Sequence, residues 1–269
     1  MPLVSANGWE FDCDISGEGP DLVFIHGEIH GTAYWEHQVA EFSKDHRCFV
    51  YHRRGHSKTG ASGGGYELEN QRRDLEELIA HFGIRRPVIV AVAFGTTIAA
   101  DYTILHPADV RAIMMVAWSE LHEAQKYYDR WVEANRQVIA AFDEGGRDGM
   151  IEFLRREAGC SLYMVIPTAG HLREPCIQLF ADHPREEYER GMLEFATSVP
   201  DLVTPFSKLD IPVWGVCGEL DPFPDQPETL AAMKNFHELP AIPGASRFVQ
   251  WEKPDEFNAI MREFLAAHD

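Results

Sequence analysis

The chain alternates short apolar runs, bounded by turn residues, with longer stretches in which apolar residues recur at helical spacing. Leu22–Ile25 (LVFI), Cys48–Tyr51 (CFVY), Val88–Val92 (VIVAV), Ile113–Ala117 (IMMVA) and Val213–Val216 (VWGV) predict strands, with a weaker one over Phe236–Leu239. Between them, Glu67–Phe82 predicts a helix: Leu68, Leu75, Leu78, Ile79 and Phe82 share one face, while Arg72, Arg73, Glu76 and Glu77 face water. Gly83 is placed to end it. Strands alternating with helices predict an α/β fold, with a mostly parallel sheet covered on both faces.

From about Leu121 to Pro200 no strand pattern occurs, and amphipathic helical patterns interrupt the strand series. A helical excursion between two parallel strands stands over the carboxyl edge of the sheet, where open α/β folds bind ligands. The expected organisation is a core of residues 1–120 and 201–269, with residues 121–200 as a helical lid. A chain of 269 residues folded as one such domain buries roughly 75% of its unfolded surface. No internal repeat is present, and Gly60–Gly65 (GASGGG) reads as a flexible loop.

Charge narrows the partners. Lys and Arg total 24 against 43 Asp and Glu, a formal charge of −19, which repels nucleic-acid phosphates and anionic membrane surfaces. Neither nucleic acid nor membrane is an expected partner; a small-molecule substrate is, and a homodimer contact would use the exposed face of the lid. The cysteines Cys13, Cys48, Cys160, Cys176 and Cys217 are widely spaced, without a CxxC pair, and read as buried thiols. The first residues lack a basic segment followed by an apolar run, and no stretch of about 18 apolar residues occurs, so a cytoplasmic protein is expected. Without a GxGxxG after a strand, a Walker-type loop or a zinc-peptidase helix, no cofactor is implied. His26-x3-His30 and His52-x3-His56 lie on strand-to-loop segments, where this spacing does not put both rings on one face, so no metal is expected.

Four local patterns resemble the α/β-hydrolase superfamily over nearly the whole chain. His26-Gly27 follows the first long apolar run, as in the family's HG loop. His52-Arg53-Arg54-Gly55-His56-Ser57 is similar to D-x-R-G-x-G, with His for Asp and Ser for the second Gly. Ala91, Val92, Ala93, Phe94 and Gly95 stand in the five places of the nucleophile elbow G-x-S-x-G. GELDPF places Asp221 where the family keeps its acid, and IPGASRFVQWEKPDEF matches the family's closing motif, with Ser246-Arg247 where Gly-His is expected. The resemblance implies the α/β-hydrolase fold with a helical lid.

It does not carry ordinary Ser-His-Asp chemistry over. The methyl group of Ala93 has no lone pair to attack a carbonyl, and the guanidinium of Arg247 stays protonated near neutral pH. The expected cavity gathers Glu28, His30, Ala93, Phe94, Trp118, Glu120, Asp221 and Arg247. Glu28 and His30 are the candidates for proton transfer and Arg247 for anion binding, with Asp221 orienting Arg247, either as a salt bridge or with the guanidinium turned to a substrate carboxylate. Ala93, Phe94, Trp118 and Glu120 are candidate substrate contacts, the two rings offering flat walls to a planar ligand. Three functions stay open: an enzyme working on a small carboxylated or aromatic metabolite by acid–base and electrostatic chemistry, a non-catalytic binding protein, and a hydrolase disabled at its serine.

Overall fold

The computed structural model describes residues 3–27, 31–118, 125–157, 169–221, 230 and 233–268, with backbone only for 125–131. Seven strands form one sheet: β3 (Cys13–Ser16), β4 (Asp21–Ile25), β5 (Arg47–Tyr51), β6 (Val88–Val92), β7 (Ala112–Val116), β8 (Val213–Val216) and β9 (Phe236–Glu238), in the order β3-β5-β4-β6-β7-β8-β9. All neighbours pair parallel except β3 with β5. Among the described residues the α-helices are α1 (Glu36–Phe42), α2 (Leu68–His81), α3 (Phe94–Leu105), α4 (Gln125–Glu157, broken at Gly146), α5 (Arg173–Ala181), α6 (Met192–Ser198), α7 (Val203–Phe206), α8 (Val249–Glu252) and α9 (Pro254–His268).

The unbroken apolar runs follow from burial of both sheet faces. Leu22, Phe24, Val88, Val90, Val92, Met114 and Val116 join one core cluster, while their strand neighbours Val23, Ile25, Ile89, Ala91, Ile113 and Met115 join the other. All six predicted strands occur, within a residue of the expected ends. Three short strands were not expected from apolar runs. β1 (Val4–Ala6) and β2 (Trp9–Phe11) form an antiparallel hairpin, turned through Asn7 and Gly8 at φ 43° and 72°. Three-residue strands are too short to show a period; the signal for them is the Asn-Gly pair, which suits the positive φ of a two-residue hairpin turn.

The predicted helix after β5 is α2, and its end is chemically explicit. Gly83, at φ 60°, lets Ile84 N–H donate to Ile79 O (3.0 Å) and Gly83 N–H to Ala80 O (3.2 Å), satisfying carbonyls the helix leaves open. Between β7 and β8 no described residue lies in a strand. Among the described residues no helix is long and apolar enough to cross a membrane.

The strand order reverses beside β4: the chain passes from β4 to β5 on one side and to β6 on the other. This topological switch point is where parallel sheets open a crevice beyond their carboxyl ends. Gly27 follows β4 there and Ala93 follows β6, so the two loops that matter are set side by side by strand order alone.

Two glycine substitutions separate backbone conformation from close packing. A Cβ on Gly83 meets nothing within 4 Å, so Gly83→Ala should cost only about 1 kcal/mol for its positive φ. A Cβ on Gly95 would come 2.5 Å from Ile25 O and 2.8 Å from His26 O. Both obstacles are backbone, so Gly95→Ala should destabilise by about 3 kcal/mol or more. Urea unfolding of the two variants checks the difference; equal costs would remove the argument for close packing of α3 on β4.

Candidate active site

The turn from β6 into α3 keeps the geometry of a nucleophile elbow without a nucleophile. Ala93 sits at φ 50° and ψ −126°, a conformation that costs a residue with a Cβ about 1–2 kcal/mol. Its neighbours hold it there. Ala93 N–H donates to Val116 O on β7 (3.1 Å), and Ala93 O accepts from Thr96 N–H (2.8 Å) and Thr96 Oγ1 (2.6 Å). Gly27 leaves room on the other side, since a Cβ there would come 2.9 Å from Ala93 Cβ. The positive end of the α3 dipole is thereby presented at the switch point.

Asp221 and Arg247 meet because their two loops are zipped by backbone hydrogen bonds. Ile242 N–H donates to Cys217 O (2.9 Å), Glu219 N–H to Ile242 O (3.0 Å) and Leu220 N–H to Ala245 O (2.9 Å). Gly218 admits this approach, as a Cβ would come 2.0 Å from Ser246 O. Ser246, where the family pattern has Gly, donates through its N–H and hydroxyl to the buried carboxylate of Glu252, fixing the turn into α8. Arg247 Nη1 then lies 3.3 and 3.4 Å from the two carboxylate oxygens of Asp221, with both side chains over 90% buried. The salt bridge weighed from sequence is present: a guanidinium occupies the partner position that an imidazole would hold.

The HG loop is anchored from below. His26 Nε2 accepts from Arg53 N–H (2.9 Å), so its Nδ1 carries the proton and donates to Gly27 O (2.7 Å). Arg53 adds bonds to the same carbonyl (2.7 Å) and to Gln71 (2.6 Å). Both His26 nitrogens are thus committed, and burial, with His56 and Arg53 next, pushes its pKa well below 6.5. His52, standing for the family's Asp, places Nε2 3.0 Å from Thr32 Oγ1 and 3.9 Å from Asp12. Burial pushes its pKa down to about 4, against the opposing pull of Asp12. Among the described residues no group of three His, Cys, Asp or Glu is arranged to hold a metal ion.

Two of the candidate contacts, Phe94 and Trp118, lie among the described residues. Phe94 is buried with its ring stacked on Phe195 of α6, centroids 4.7 Å apart. Trp118 is buried edge-on to Phe236 at 5.6 Å, over Gly215, where a Cβ would come 2.6 Å from the indole. Both rings are buried and packed on an aromatic neighbour. Glu28, His30 and Glu120 lie outside the described residues. The cysteines also divide: Cys13, Cys48 and Cys176 are buried and Cys217 is half-buried, while Cys160 lies outside the described residues. What apolar patterning could not reveal is a second polar cluster, His56, His183 and Glu187, assembled from positions far apart in the chain.

Comparison with known proteins agrees with this architecture. The family profile described as alpha/beta hydrolase fold matches residues 20–254. Epoxide hydrolase 3 of Xenopus tropicalis is 24% identical over 96% of this chain and 75% of its own length. A non-heme haloperoxidase of Rhodococcus erythropolis is 23% identical over 98% of this chain and 99% of its own. Among solved structures, a carboxylesterase of Nitrososphaera gargenis superposes with TM-score 0.83 at 21% identity, covering 99% of this chain and 98% of its own. The enol-lactonase of Burkholderia xenovorans LB400 gives 0.80 at 20%, covering 98% and 100%.

Two expectations follow. Ala93→Ser alone should give no measurable hydrolysis of p-nitrophenyl acetate, because Arg247 cannot take the serine proton; Ala93→Ser with Arg247→His and Ser246→Gly should. Esterase activity in the single variant would restore the reading of a hydrolase disabled only at its serine. Separately, His52 has a folded pKa of about 4, below its ordinary 6.5, so the unfolded chain binds its proton first as pH falls. Stability from this group is complete above pH 6.5 and drains between pH 6.5 and 4, by up to about 3 kcal/mol. Denaturant titrations of parent and His52→Asn at pH 7 and 4.5 check this; a slope unchanged by the substitution refutes it.

Proposed function

Since the chain belongs to the alpha/beta hydrolase fold family, we propose that it is an enzyme acting on a small organic metabolite, aromatic or carboxylated, without a covalent serine intermediate. The reaction is a hydrolysis by a non-covalent route, a hydration or a lyase-type cleavage, in which negative charge develops on a substrate oxygen. The N-terminus of α3 and the Arg247 guanidinium stabilise that charge, and Asp221 orients the guanidinium. Glu28 and His30, next along the chain from Gly27, are assigned proton transfer on sequence grounds, and Glu120 a substrate contact. Residues 121–200 act as the lid over the core formed by 1–120 and 201–269.

The observation that supports this best is the buried Asp221–Arg247 pair at the carboxyl edge of the sheet. A buried ion pair adds little stability over a well-packed apolar pair, so its place at the ligand edge of the sheet supports a role in binding or chemistry.

The test is mass spectrometry of a pool of small carboxylic acids and their esters, lactones and unsaturated analogues, incubated with parent, Arg247→Gln and heat-inactivated protein. One compound should disappear as another appears, their mass difference naming the reaction, and Arg247→Gln should lower kcat/KM on it by a hundredfold or more. Stoichiometric retention of an unchanged compound, with no conversion, would make the protein a binding protein and overturn this reading.

A further inference from the structure

A second concave site lies at the amino-terminal edge of the sheet, where β6 and β7 begin. Its volume is about 490 Å³, a size that suits small organic ligands. β6, five residues long, separates it from Ala93 by roughly 17 Å, so it lies away from the Asp221–Arg247 edge. The C-terminal turns of α2 and α3 supply Ile79 and Tyr102, and the loop into β6 supplies Ile84, Arg85 and Arg86. Ile79, Ile84 and Tyr102 are buried and form an apolar floor, while both arginines are exposed at the rim. Arg111 N–H donates to Pro87 O (3.0 Å), which ties the loops into β6 and β7 together.

The charges on its two sides differ. On the helical side Glu76 accepts from Arg72 and lies 2.7 Å from His106 Nε2, and Arg72 also donates to Asp101 (3.0 Å). Exposed Asp109 stands 3.9 Å from His106 Nδ1. On the loop side, the guanidinium groups of Arg85 and Arg86 make no hydrogen bond or ion pair with any described residue. Asp21 receives the Arg85 backbone N–H (2.8 Å), but its carboxylate is held by Arg47 through bonds of 2.5 and 3.0 Å. The C-terminus of α2 favours cations close by, which lets guanidinium charge stand here without a carboxylate. Arg86 is also strained: its φ is 44°, and it precedes Pro87, where the backbone is ordinarily extended. Glycine or asparagine would adopt this conformation more readily, and neither would bring a cation to the pocket.

We propose that this pocket binds a small amphipathic carboxylate, with its apolar body on Ile79, Ile84 and Tyr102 and its carboxylate held by Arg85 and Arg86. A guanidinium presents paired N–H donors that match the two carboxylate oxygens, a geometry an ammonium does not offer. The formal charge of −19 does not forbid an anionic ligand here, because charges more than about 8–10 Å away are largely screened at physiological ionic strength. An anion without an apolar part would use the arginines alone, and an aliphatic alcohol would use the floor alone. The amphipathic ion uses both.

Methyl NMR of the full chain, labelled at isoleucine and titrated with octanoate, tests the site. The Ile79 and Ile84 methyl resonances should shift saturably. Octan-1-ol, which lacks the charge, should bind there at least about tenfold more weakly, as should octanoate to the Arg85→Ser/Arg86→Ser variant, since each loses charge-assisted hydrogen bonds. Arg86→Gly separates binding from folding: it should lower octanoate affinity about threefold or more without lowering the urea midpoint, because glycine accepts the positive φ. Arg247→Gln should leave the titration unchanged, and a loss of the shifts in that variant would place octanoate at the other edge of the sheet and overturn the proposal. Absence of saturable shifts at Ile79 and Ile84, equal binding of octan-1-ol, or undiminished affinity in the double serine variant overturns it as well. Should a variant not fold, the comparison of octanoate with octan-1-ol on the parent decides by itself.

Discussion

The close passage of α3 over the end of β4 governs much of the molecule. Gly95 lies against the carbonyl oxygens of Ile25 and His26, and Gly27 lies against Ala93, so neither position has space for a Cβ. This approach fixes the sharp turn at Ala93, which in turn fixes where the N-terminus of α3 points relative to the loop after β4. The strain at Ala93 belongs to the architecture of the switch point, and the chemistry a serine would perform there is a separate matter. A methyl group leaves the turn intact and removes the nucleophile.

The same separation of scaffold from chemistry holds at Asp221 and Arg247. Backbone bonds between loops 217–220 and 242–245 bring the two positions together whatever their side chains are. With histidine the arrangement would position a base; with arginine it positions a permanent cation beside a carboxylate. Ser246 fits this picture, since its N–H and hydroxyl engage Glu252 and hold the turn on which Arg247 sits.

Polar burial continues from the HG loop toward the helical segment. His26 and Arg53 anchor the loop; His56 and Glu187 lie beyond them, and Glu186 and Arg190 clasp the glycine loop at the rim. The apolar packing of Phe94 on Phe195 runs beside this polar path. The helical segment is thus attached to the core by two kinds of contact, apolar packing and buried polar groups.

By itself the sequence determined six of the seven strands of the sheet, the helix α2 and which residues stand at the elbow and closing-motif positions, because these follow from short-range patterns. Apolar runs mark strands buried on two faces, a glycine at positive φ marks the end of α2, and Ala93 and Arg247 offer neither a hydroxyl nor an imidazole whatever surrounds them. The Asn7-Gly8 turn was equally local, but its flanking strands are too short to show a period. Only the tertiary structure decided which side chains meet. Phe94 meets Phe195, and Trp118 meets Phe236 over Gly215. Whether Arg247 bridges to Asp221 depends on two loops 26 residues apart in the chain being zipped together. The approach of His56 to Glu187 depends on Gly55 and Gly191 yielding space for one carboxylate. Such contacts leave no period or spacing in the chain, because packing rather than sequence proximity selects the partner.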